Sequence, residues 1–100
     1  MNCDKIPERT MQGMMRYIEE GIPTGGFLHA VFANDLFESV GRADEENLAA
    51  LTQIVTWIYN EAPSACHGSY DKVSKWLRGG EDIEAIQKSW KTHHFRKRST

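Results

Sequence analysis

The chain is short of the residues that would announce a chemistry. It has two cysteines, Cys3 and Cys66, in 100 residues. That is too few for a disulfide framework and not at the spacing of a zinc knuckle, so both read as free thiols in a reducing compartment. Its three prolines and eight glycines sit at punctuation points rather than in a low-complexity run. No apolar stretch approaches the roughly 18 residues of a membrane span, and the first residues lack the apolar core of a signal peptide. The reading is a chain that acts in the cytoplasm, with no membrane partner. Alternation of β-branched residues, the mark of a strand, is missing throughout, as are internal repeats.

What is present is helical periodicity. Pro7 opens a first helix, since proline at the first helical position gives up no needed N–H. Met11, Met14, Met15 and Ile18 then form one apolar stripe. Gly21 supplies a left-handed stop, and Pro23 forbids continuation. A second helix starts near Thr24, which reads as its cap, and runs to Gly41. Phe27, Leu28, Val31, Phe32, Leu36, Phe37 and Val40 make it the most buried helix, with Asn34-Asp35 a place for a kink or break. Asp44 caps a third helix to about Glu61, with Glu45 and Glu46 favourably placed at its positive end. That helix carries Leu48, Leu51, Ile54, Val55 and Ile58, flanked by Trp57 and Tyr59. Ser69 caps a fourth, bearing Tyr70, Val73, Trp76 and Leu77. A fifth, from about Glu81, carries Ile83, Ile86 and Trp90. The expectation is an all-α, compact bundle of four to five short helices. One domain covers residues 6–94, and residues 1–5 and 95–100 are loose termini.

The small net charge of −2 hides a polarised chain. Residues 1–84 hold all 14 acids against 7 Lys and Arg, a net −7, whereas residues 85–100 carry +5 from Lys88, Lys91, Arg96, Lys97 and Arg98. The basic tail offers phosphate contacts, with Trp90 and Phe95 able to stack on bases. The acidic body opposes nucleic acid, and a solvated tail or a dock for an acidic protein competes with that reading. Asp35, Glu38, Asp44, Glu45 and Glu46 form an acidic set, either a solvated face or a surface for a protein partner.

Catalysis and cofactors find little support. His29, His67, His93 and His94 do not pair with the cysteines at ligand spacing. Cys66-His67 lacks the surroundings of a nucleophile. No metal, cofactor or catalytic residue is assigned, and the chain is read as not an enzyme. Thr24, Gly25 and Gly26, with Arg16 or Arg42, invite an anion or nucleotide, since glycines let a ligand approach the backbone at a helix start. Neither nucleotide fingerprint is met, however, and a tight turn between helices explains the same glycines. The methionine stripe and the aromatics Trp57, Tyr59, Tyr70 and Trp76 exceed what a small core absorbs, which leaves a homodimer open.

Several stretches stand together as a pattern: Arg16-Tyr17, Pro23-Thr24-Gly25-Gly26-Phe27-Leu28, Asn34-Asp35-Leu36, Gly41-Arg42-Ala43-Asp44-Glu45-Glu46-Asn47, Tyr59-Asn60-Glu61, Pro63 and Cys66-His67-Gly68-Ser69. Over residues 6–77 the chain resembles small proteins encoded by tailed bacteriophages and prophages of Gram-negative bacteria. His67 is a departure, because the resembling loops carry tryptophan there. The resemblance implies a setting inside a host bacterium. It also implies a role like that of small accessory phage proteins, which bind a host or phage protein stoichiometrically, as anti-CRISPR and other anti-defence inhibitors do.

Overall fold

A computed structural model describes the backbone of residues 5–99 and the side chains of residues 5–93. Among the described residues every regular element is helical. The order is α1 (Glu8–Glu20), α2 (Gly26–Phe32), α3 (Leu36–Arg42), α4 (Glu45–Ala49), α5 (Leu51–Glu61), a 3₁₀ turn (Ser64–Cys66), α6 (Tyr70–Arg78) and α7 (Glu81–Ser99). The all-α expectation holds, but seven helices replace four to five. The two extra helices come from two breaks.

The first break lies at Asn34, whose φ of 65° takes the chain out of the right-handed helix. The next residue restarts it: Asp35 caps α3 by accepting from the Glu38 N–H at 3.2 Å. The second lies at Ala50, where φ −99° and ψ 8° interrupt the helix. The Ala50 N–H there is shared between the Glu46 and Asn47 carbonyls, both at 3.2 Å. The caps read from the sequence hold at Asp44, which accepts from the Asn47 N–H at 2.8 Å, and at Ser69, which accepts from the Lys72 N–H at 3.1 Å. Thr24 does not cap α2. Its hydroxyl donates to the Gly25 carbonyl at 3.2 Å, and Gly25 is the residue at the cap position. Gly21 does end α1 in the left-handed conformation, at φ 68° and ψ 28°.

The core is built around α1, α2, α5 and α6. Met14, Tyr17, Ile18, Phe32, Ile54, Cys66, Val73 and Trp76 are all but fully buried. Met11 and Met15, expected in the stripe, are half-buried, and Tyr17 takes the inward position instead. Two hydrogen bonds tie this centre together. The Tyr17 hydroxyl donates to the Cys66 carbonyl at 2.7 Å, and the Trp76 indole N–H donates to the Tyr17 carbonyl at 2.8 Å. Phe32 packs against the Tyr17 ring at a centroid distance of 4.4 Å. Outside this centre, Trp57 of α5 meets Trp90 of α7 edge to face at 6.5 Å, and the Trp90 N–H reaches the Glu61 carbonyl at 2.7 Å. α7 packs on α1 and remains helical through Ser99, where the sequence reading leaves a loose end. No glycine or proline follows Gly80 to stop it. Cys3 and the first four residues lie outside the described residues, as do the side chains of Arg96, Lys97 and Arg98. None of the described helices is long and apolar enough to cross a membrane.

Candidate functional site

The break at Asn34 decides where the molecule's open apolar surface lies. Continued as one helix at about 100° per residue, residues 26–41 would keep Leu36 and Val40 within about 80° of Phe32. Ser39 would lie almost in line with it, while Phe37 would already face away. The left-handed turn at Asn34 redirects the chain, and Ser39 is the one buried residue of α3 (2 % exposed). Its Oγ donates to the Asp35 carbonyl at 2.7 Å, which satisfies that buried hydroxyl. Leu36 and Val40 are left 60 % and 44 % exposed, and Phe37 88 %. The expectation that this stretch forms the most buried helix therefore holds for α2 and fails for α3. Leu48 and Val55, read as core residues of the third helix, are also exposed, and Tyr59 stands 81 % in solvent.

Between α3 and α5 runs an open groove of about 380 Å³. Val31, Leu36, Leu51, Val55, Ile58 and Tyr59 supply its apolar walls, and Asp35, Ser39 and His67 its polar part. Two contacts fix its geometry. The Gly68 N–H donates to the Phe32 carbonyl at 2.8 Å, pinning the loop after the 3₁₀ turn to the end of α2. The Tyr70 hydroxyl donates to Asp35 Oδ2 at 2.6 Å, latching the start of α3 to α6. That bond, with the Glu38 N–H, holds the Asp35 carboxyl below the usual carboxylate range. Burial, and after it the Lys72 ammonium, pull the His67 imidazole down, so a neutral ring lies in the groove wall at pH 7.

A second recess, about 530 Å³, gathers the residues read as anion contacts. Arg16, Thr24, Gly25, Gly26 and Arg42 all line it, together with Arg9. Their guanidinium groups are mostly spent. Arg42 Nε donates to Glu38 Oε1 at 2.8 Å. Arg9 bridges Asp44 at 2.9 Å and Glu46 at 3.4 Å. The Gly26 position is explained by packing, since a Cβ there would come within 3.0–3.1 Å of the Arg42 side chain lying across it. α2 has only seven residues, and two of the three arginines at this recess, Arg9 and Arg42, already pair with carboxylates. Beneath it, the Thr10 hydroxyl donates to Asn47 Oδ1 at 2.6 Å, a buried polar link between α1 and α4 that periodicity does not reveal.

The acidic set does not form one free face. Asp35 lines the groove, Glu38 pairs with Arg42, Asp44 and Glu46 pair with Arg9, and Glu45 lines a separate shallow recess with Lys5 and Ile6. Lys88 and Lys91 are exposed on α7. Among the described residues no three His, Cys, Asp or Glu converge as metal ligands. Cys66 is buried and free, its thiol pushed up to about 12 chiefly by burial, so it is not a nucleophile at neutral pH. The groove residues that sequence reading missed are those it assigned to the core. The signal that could have found them was Asn34-Asp35, a left-handed residue followed by a cap, which restarts a helix in a new direction.

The comparisons add no relative. No protein-family model, curated protein or solved structure matches this chain. Function is therefore argued from the groove itself.

Proposed function

We propose that this chain acts by stoichiometric binding of another protein, a host or phage protein in the setting of the phage resemblance, through the groove between α3 and α5. The observation that carries the reading is the exposure of Phe37 beside that groove, with Leu36, Val40, Val55 and Tyr59 around it. A small monomer seldom leaves so many large apolar side chains together in water, and such patches mark association sites. Burying a phenylalanine side chain is worth about 2–3 kcal/mol, enough to make Phe37 an anchor of the kind that dominates interfaces. Anti-defence inhibition is one form that stoichiometric binding takes in such a setting.

The test starts from capture in a bacterial host lysate and is decided with the purified partner. Titrated calorimetrically, Phe37→Asp is expected to weaken binding by roughly thirtyfold or more, the equivalent of about 2 kcal/mol. Charge reversal at Glu45, in its separate recess, is expected to leave affinity within a few tenths of a kcal/mol. Equal affinity of the wild type and Phe37→Asp overturns the groove as the binding surface.

A further inference from the structure

We infer that the groove face is self-complementary, and that the free protein is a two-fold dimer in which Phe37 of each copy enters the α3–α5 groove of the other. Phe37 lies on the same helix as Leu36, which lines the groove, but does not line the groove of its own chain. It stands 88 % exposed beside a groove of about 380 Å³. A knob and a hole side by side on one face are exchanged by a two-fold axis passing between them. One apolar contact therefore becomes two identical ones, and the assembly closes at two copies.

Size and charge agree with a second copy as the occupant. The molecule is flat, 37 × 35 × 18 Å, so a face spanning its two long axes has room for the roughly 800 Å² per partner of a standard interface. The body as a whole is strongly acidic, and two such surfaces would repel, but this face is close to neutral. Glu38 is paired with Arg42 within α3, the His67 ring is held neutral, and Asp35 is the remaining charge lining the groove. Val55 and Tyr59, which line the groove, add exposed apolar area. The inference concerns the same face as the partner reading but does not depend on it.

Sedimentation equilibrium on the full chain decides it. The wild type is expected at twice 11.4 kDa, with a dissociation constant below about 100 µM. Phe37→Ala, which removes the knob from an exposed position, is expected to raise that constant at least about thirtyfold with the helical circular dichroism unchanged. Val55→Trp, which keeps the knob and fills the groove, is expected to do the same. Mixing the two variants is expected to restore a heterodimer, because one intact knob then faces one intact groove. Ile22→Ser, on the other recess, serves as control and leaves the dimer intact. A wild type that is monomeric at about 100 µM overturns the inference and leaves the face to an unlike partner. A dimer that survives Phe37→Ala, or mixed variants that stay apart, overturns it equally. Partner binding retained by a monomeric Phe37→Ala would confirm the dimer while refuting the partner reading.

Discussion

Tyr17 does two jobs from one position. Its hydroxyl satisfies the Cys66 carbonyl, and its own carbonyl accepts from both the Gly21 N–H at 2.9 Å and the Trp76 indole. Tyr17→Phe keeps the ring against Phe32 but leaves a buried carbonyl without its donor. It is expected to cost about 1–3 kcal/mol in a urea melt. The two acidic groups at this centre, the Cys66 thiol and the Tyr17 phenol, are both raised, in each case mainly by burial. The folded chain therefore holds these protons more tightly than the unfolded one. Their contribution is complete below pH 9 and is lost as pH rises from 9.0 through about 12 for Cys66. Melting temperature should fall from about pH 9 to about pH 11, and Cys66→Ala should flatten part of the fall. A pH-independent melting temperature over that span would contradict the buried-thiol picture. Tyr17 was hidden in the sequence for a physical reason. Its stripe runs Thr10, Met14, Tyr17, and the polar head of that stripe is buried only because Asn47 accepts from its hydroxyl.

At the scale of elements, the turn from α1 into α2 separates three glycines by what each one does. Gly21 holds φ 68° as the end of α1, so Gly21→Ala is expected to cost about 1–2 kcal/mol. Gly25 has an extended backbone, at φ −73° and ψ 177°, and nothing within 4 Å of a built Cβ. Gly25→Ala meets no clash, and its gain through the unfolded chain is offset by alanine's poorer N-capping, so the net effect should stay within about 1 kcal/mol. Gly26→Ala pushes Arg42 off its course and should break the Glu38–Arg42 pair, read as a shift of the Arg42 Nε–H resonance. Thermal melts of the three variants rank them directly, with Gly21→Ala expected lowest; a Gly21→Ala as stable as the wild type would contradict the left-handed stop. Helix existence, the Asp44 and Ser69 caps and the Gly21 stop were legible, because each rests on chemistry within four residues. The outward rotation of α3 was not. It depends on one left-handed residue redirecting the chain that follows it. The break at Ala50 carries no local signal either, since alanine is the best helix former.

For the whole molecule, two forces compete to organise association: the apolar face and the separation of an acidic body from a basic end. They differ in salt dependence. A dimer held by Phe37 and the groove should keep its dissociation constant within about threefold between roughly 50 and 500 mM salt, because apolar burial is not screened. Contact between the acidic body and the Lys88–Lys91 side of another copy would weaken steeply over the same range. A strong salt dependence in sedimentation would therefore move the interface away from α3. Where the partner and the second copy use the same face, they exclude each other. Titrating purified partner into the dimer should then release one-to-one heterocomplexes rather than add a third chain.

The bonds that join Tyr17 to Cys66 and to Trp76 span 49 and 59 residues of sequence. The two breaks, by contrast, cut the intervening chain into short helices whose caps form locally. Folding rate is set largely by how much chain must be closed before long-range contacts form. Bringing α6 against α1 is therefore the closure expected to limit folding, and α2 through α5, of 5 to 11 residues each, have little stability before it. Refolding followed by Trp76 fluorescence, read in a Trp57→Phe, Trp90→Phe variant, should therefore rise together with the far-ultraviolet signal, so that the segment carrying the groove becomes stable only as the core beneath it closes.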